Sequence, residues 1–175
     1  MMTLIYIALT IIVIFLIIVA FLPGDFRIER STAISAPPPV VFDLVNDFHK
    51  WTAWSPWDKL DPNLVRTYAG SPSGAGAIYS WAGNNKVGEG RMTLMDSQPS
   101  SLIRIKLEFL KPFQATNTAE FAFVPQGSQT RVTWSMTGTK NFILKLFGLF
   151  MSMDKLVGKD FEKGLAQMKA SAEAG

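Results

Sequence analysis

The chain has 175 residues, with 17 Lys and Arg against 14 Asp and Glu, one His and no Cys. That length suits one domain plus an appendage, the absent Cys excludes a disulfide scaffold, thiolate zinc sites and thiol nucleophiles, and a scattered net charge of +3 offers nucleic acid no basic footprint. The first charged residue is Asp25, and residues 1–22 supply 20 apolar side chains, so the hydrophobic excess sits at one end, unlike a disordered chain or a polytopic membrane protein.

Leu4 to Leu22 contains Thr10 as its only polar residue. As a helix rising 1.5 Å per residue it reaches roughly 28 Å, close to the ~30 Å hydrocarbon core of a bilayer. No Lys or Arg precedes it, and Val19-Ala20-Phe21-Leu22-Pro23 offers no Ala-x-Ala cleavage site, so the pattern predicts an uncleaved anchor rather than a signal peptide. Pro23-Gly24 ends the helix, which predicts an anchor over 1–24 and a globular domain over 25–175. Arg27 and Arg30 follow the helix and favour a cytoplasmic domain by the positive-inside rule, a vote weakened by Asp25 and Glu29.

Beyond the anchor, Arg27–Ile34 alternates as a strand. Pro37-Pro38-Pro39 stops that ladder and suits the first turn of a helix, which Val41, Leu44, Val45 and Phe48 continue at amphipathic spacing. A second short helix through Lys50–Trp54 ends at Ser55-Pro56. From residue 64 the period changes to two, predicting strands over 64–70, 77–82, 87–97, 102–110, 116–124 and 130–139. Turn-forming clusters rich in Gly, Asn, Ser and Pro separate most of them. Ile103, Ile105, Leu107 and Phe109 alternate with Arg104, Lys106 and Glu108, so one face is dry and one wet, as in an antiparallel sheet covered on one side. Helical period returns with the stripe Met153, Val157, Phe161, Leu165 and Met168, where Gly158 and Gly164 permit close packing on the sheet.

The predicted architecture is α+β. A curved seven-stranded antiparallel sheet wraps a long C-terminal helix, with two short helices after the first strand and one N-terminal transmembrane helix. Within it, Ile34-Ser35-Ala36-Pro37, Val41-Phe42, Asp47-Phe48, Trp51-x-x-Trp54-Ser55-Pro56-Trp57 and Gly158-x-Asp160-Phe161-Glu162-x-Gly164-Leu165 resemble the START-related SRPBCC superfamily. The nearest part is its bacterial polyketide cyclase/dehydrase and lipid-transport-like group. The resemblance spans about residues 27–170 and implies the helix-grip fold, with a hydrophobic cavity between sheet and long helix.

Catalytic groups are scarce. His49, the single histidine, sits beside Lys50 in a short exposed helix and reads as a surface residue. Metal ligands are too few for a centre, Asp58 and Asp61 read as a turn, and no cofactor is implied. The glycines at 74, 76, 88 and 90 lack phosphate-loop spacing. Glu108 and Glu120 fall on the wet phase, whereas Arg30 is the charged residue that shares a phase with apolar strand neighbours. It reads as a rim residue before it reads as a headgroup ligand.

Aromatic mass is the prominent feature, with 13 Phe, 5 Trp and 3 Tyr. Trp54, Trp57, Tyr79, Trp81, Phe109, Phe121, Phe123, Trp134, Phe147 and Phe161 are the candidate ligand-binding residues, since such rings grip an apolar ligand and fix its polar end. Taken singly, each reads first as the bulk that a helix-covered sheet needs and only then as cavity lining. The segment 142–153, FILKLFGLFMSM, is too short to span a bilayer. It reads either as an interfacial segment pressing Phe147, Leu149 and Phe150 toward lipid, or as a buried lead-in to the long helix. Three functions are compatible with these features. The first is a membrane-tethered binding protein for a lipid or other hydrophobic small molecule. The second is a cyclase/dehydrase-type enzyme using the same cavity, and the third an interaction module with a packed interior.

Overall fold

The computed structural model describes residues 2–149 and 152–174. The alternating segments become β1 (Asp25–Ile34), β2 (Val65–Gly70), β3 (Ala77–Ala82), β4 (Glu89–Gln98), β5 (Leu102–Lys111), β6 (Ala115–Gln126) and β7 (Gln129–Thr139). They form one antiparallel sheet in the order β1-β7-β6-β5-β4-β3-β2. Five tight connections keep β2 to β7 adjacent in sequence order, and β1 closes the far side against β7, Arg30 opposite Trp134.

Several boundaries differ from the alternation. β1 begins two residues early because Asp25 still pairs with Thr139. β4 begins at Glu89 instead of Val87, since Gly88 takes a left-handed conformation, φ 63°, beside the backbone of Lys111. β6 runs through Pro125, which a turn was expected to claim. Pro125 pairs only with Thr130 of β7, because the β5 ladder begins at the Leu102–Ala122 pair, and no bond is lost for want of an N–H.

The convex face carries the charged phase, cross-linked by Arg91 and Lys106 on Glu108 and by Arg104 on Glu120. The concave face carries the apolar phase and receives the helices. α2 (Pro38–Asn46) buries Val41, Phe42 and Val45, with Phe42 edge-on to Phe123 at 5.5 Å. A 3-10 turn (Phe48–Lys50) leads directly into α3 (Trp51–Trp54), and Asp47 caps the turn by accepting from the His49 N–H. The indoles of Trp51 and Trp54 donate to the carbonyls of Val45 and Leu44 at 3.0 and 2.8 Å, tying α3 back to α2.

The other helices flank this core. α1 (Met2–Phe21) is exposed along its length except at Val19. Its 20 residues are long and apolar enough to cross a membrane. α4 (Phe142–Gly148) is capped by Asn141 and buries none of its residues, so its described part is not the buried lead-in that was one expectation; Phe150 and Met151 lie outside the described residues. α5 (Met153–Glu173) starts at a Ser152 cap on the Lys155 N–H and buries Phe161, Leu165 and Met168. It lies chiefly along β1 and against α3. Glycine makes that closeness possible: a Cβ on Gly158 would overlap the Arg30 guanidinium, and one on Gly164 would come 2.8 Å from the Trp134 ring.

Candidate ligand-binding site

Strand register determines which side chains share the concave face. Tyr68 opposes Tyr79, Arg66 opposes Trp81, and Trp81 opposes Gly90, which in turn opposes Phe109. On the other half of the sheet Phe121 lies between Ile103 and Trp134. α5 covers the second half. The first half instead meets the short 3-10 turn through Tyr68 and Tyr79 and the Asp58 loop through Arg66, so the two halves are different environments.

Under α5 the expected site residues pack on one another. Trp134 stacks on Phe161 at 4.0 Å and on Phe121 at 4.9 Å, while Trp54 and Trp57 meet it edge-on at 5.6 and 5.8 Å. Trp54, Phe121, Phe123, Trp134 and Phe161 are buried, and Trp57 is half-buried. One polar atom is left over here. Trp134 Nε1 is buried and has no acceptor among the described residues, although a buried donor left unpaired costs about 1–3 kcal/mol.

On the less covered half, Tyr79, Trp81 and Phe109 form a second aromatic group. Trp81 lies 6.0 Å from each of the other two, and its indole donates to the Val87 carbonyl at 3.0 Å. Trp81 and Phe109 stay half-buried. So do Phe26, Leu107, Met153 and Val157, which pack against the core. Gly90 shapes the wall, for a Cβ there would overlap the Trp81 ring and the Glu108 carbonyl. Phe147, the tenth expected residue, is exposed on α4, apart from both groups.

A polar cluster borders the second group, and the pattern of residues did not reveal it. Arg66 donates through Nε to Asp58 Oδ1 at 2.9 Å and through Nη2 to the Asp58 carbonyl at 3.1 Å. Arg66 is thus a second charged residue on the apolar-neighboured phase, which corrects the expectation that Arg30 stands alone. Asp58 raises the Arg66 pKa further above its ordinary value. Burial, and secondarily the negative charge of Asp58, push the Tyr79 phenol up to about 12, so it stays protonated at neutral pH and can donate. Burial also raises Tyr68. The only sequence signal was Arg66 in step with Tyr68, and its partner lies eight residues back in a loop.

The remaining candidates resolve simply. Arg30 reaches α5, donating to Asp154 at 2.8 Å and to Glu162 at 2.7 Å, so it is spent on clamping helix to sheet. His49 Nδ1 lies 2.8 Å from Asp47 Oδ1, and its half-exposed ring stacks on Tyr68 at 4.1 Å. Among the described residues, no three His, Asp or Glu side chains approach closely enough to hold a metal ion.

A family model described as polyketide cyclase/dehydrase and lipid transport matches residues 25–173. The chain belongs to that family. No curated protein matches it in sequence, but solved structures share its fold. A Staphylococcus aureus protein of unknown function, SA2116, superposes with TM-score 0.67 at 10% identity, covering 87% of this chain and 96% of its own. BexL, a di-domain ARO/CYC protein of the BE-7585A biosynthetic pathway, gives 0.63 at 17% identity, covering 90% of this chain and 53% of its own. Ara h 8.0201 gives 0.59 at 11% identity, covering 87% of this chain and all of its own. At such identities these likenesses concern the fold alone. The family match is what points to hydrophobic-ligand binding or a cyclase role for this fold.

Proposed function

We propose that this chain is a membrane-tethered binding protein for a lipid or other hydrophobic small molecule, which enters beside α5 and lies on the half of the concave sheet that the helix leaves uncovered. The observation that carries the reading is the half-buried aromatic wall of Trp81 and Phe109, left uncovered because α5 lies on β1. Apolar surface of that kind gains about 25 cal/mol for each Å² a ligand removes from water. The Tyr79 hydroxyl and the Arg66–Asp58 pair stand beside this wall and would hold the polar end of a ligand. α1 serves as the anchor before a domain that begins at residue 25, keeping it where apolar molecules partition.

Titration of delipidated protein with a fluorescent fatty-acyl probe tests this. Stoichiometric binding is expected, weakened about tenfold by Trp81→Ala, a loss of about 1.4 kcal/mol, with the thermal unfolding midpoint retained. Absence of binding in folded protein would overturn the reading.

A second reading, a cyclase/dehydrase-type enzyme on a hydrophobic substrate, is favoured by one observation. Tyr79 is a buried, neutral phenol beside a guanidinium, a group able to hydrogen-bond a developing oxyanion. Tyr79→Phe would abolish turnover of an aromatic-precursor polyketide while leaving its binding within a few-fold. Equal turnover by the variant would remove Tyr79 as the donor.

A further inference from the structure

The link from α1 to the sheet is short. Phe21 and Asp25 are four residues apart, at most about 14 Å, so the end of the sheet where β1 starts must sit beside the end of α1. Antiparallel order brings other segments to the same end: the β5–β6 connection at residues 112–114 and the exit of β7 into α4. α4 is fastened there. Lys145 Nζ donates to the Ala20 carbonyl at 2.9 Å, capping the last turn of α1, and the Lys140 N–H donates to the Gly24 carbonyl at 2.8 Å.

What this end displays is unusual for a soluble surface. Leu110 at the end of β5 and Phe113 on the connection are 48% and 54% exposed, and Phe147 on α4 is 61% exposed, with Phe142 and Ile143 alongside it. Apolar side chains clustered on one end, on two segments separate in sequence, mark a contact surface rather than scattered exposure. Lys86, Lys111 and Lys140 stand among them, against Asp25 and Glu89, and Glu89 is already paired with Lys111. Aromatic rings with lysines, held beside an apolar helix, are the composition of a bilayer interface.

We propose that this end of the domain, α4 together with the β5–β6 connection, docks on the surface of an anionic bilayer as a second membrane contact beside α1. The proposal rests on the tether reading above. It lays the half-buried Phe26, Leu107 and Met153 close to the acyl region, so a lipid would pass to the wall of Trp81 without crossing water.

The chain has no Cys, so single labelling sites are simple to introduce. Full-length Phe113→Cys, Phe147→Cys, Val124→Cys and Ile12→Cys, each carrying an environment-sensitive fluorophore, are reconstituted in phosphatidylcholine/phosphatidylglycerol vesicles. Quenching is read with nitroxide lipids and with aqueous iodide. Docking predicts that labels at 113 and 147 lose fluorescence to a shallow nitroxide and resist iodide, whereas the label at 124, at the opposite end, does the reverse. If 113 and 147 behave like 124 while the label at 12 is quenched by a deep nitroxide, docking is wrong and the tether stands. If the label at 12 is not quenched by lipid, the tether reading fails and docking with it. Protection from iodide at 113 and 147 without quenching by either nitroxide lipid would assign the surface to a protein contact and overturn the proposal.

Discussion

Trp134 and Phe161 stack face to face, their ring centroids 4.0 Å apart and their planes 7° from parallel. One ring belongs to the β7 position opposite Arg30 and the other to the middle of α5, so this pair sets where the helix lies on the sheet. Phe161 is 1% exposed, and truncating a buried Phe costs about 3–5 kcal/mol. Phe161→Ala is therefore expected to lower the urea-unfolding free energy by that amount, and Phe161→Leu by distinctly less. An alanine variant with the parent's midpoint would show that the stack does not hold the helix.

The Trp134 indole N–H next to this stack lacks an acceptor among the described residues. A ligand on the Trp81–Phe109 wall lies on the other half of the sheet, so saturation is expected to move the Trp81 indole resonance in a nitrogen-15 spectrum and to leave that of Trp134, like those of Trp51 and Trp54, in place. A shift at Trp134 larger than that at Trp81 would put the ligand under α5 instead.

Acid should loosen the grip of α5. The Arg30 guanidinium holds the Asp154 carboxyl below its usual range, and the Ser35 backbone N–H does the same for Glu173. Both groups bind protons more weakly when folded than unfolded. Their contribution is thus complete above the ordinary carboxylate range of about 4 and lost as pH falls below it. Melting temperatures followed from neutral pH down to strong acid should fall more steeply for the parent than for Arg30→Gln. Parallel curves would show that the clamp carries no linked stability.

Gly90 is expected to be intolerant of even one methyl group. A Cβ there meets the Trp81 ring and the Glu108 carbonyl, and the β4–β5 register already shifts between Glu89 and Gly90. Gly90→Ala should cost about 1–3 kcal/mol by overpacking and alter Trp81 fluorescence. An unchanged emission spectrum and stability would mean that the strand relaxes around the methyl without moving the ring.

The strand count and the dry phase of β5 were legible, because Ile103 and Ile105 alternate with Arg104 and Lys106 and lie where that alternation puts them, buried. The start of α5 and the face it buries were equally legible from its stripe. Arg66 was not: β2 is an edge strand whose opposite phase, Val65, Thr67 and Ala69, is the less polar one and yet faces water. Nor could spacing tell that Trp134 would be clasped by Phe161 and Phe121 while Trp81 stays half open. That difference arises from α5 lying along β1 rather than across the whole sheet, a choice set by Arg30, Gly158 and Gly164 together.

The account depends on an apolar molecule being held against the Trp81–Phe109 wall, and the most direct measurement is mass spectrometry of what accompanies the full-length protein out of detergent. A stoichiometric hydrophobic species released on unfolding, and depleted from Trp81→Ala protein, is predicted. Protein that emerges folded yet carries no such species, and takes none up from added lipid extract, would contradict it.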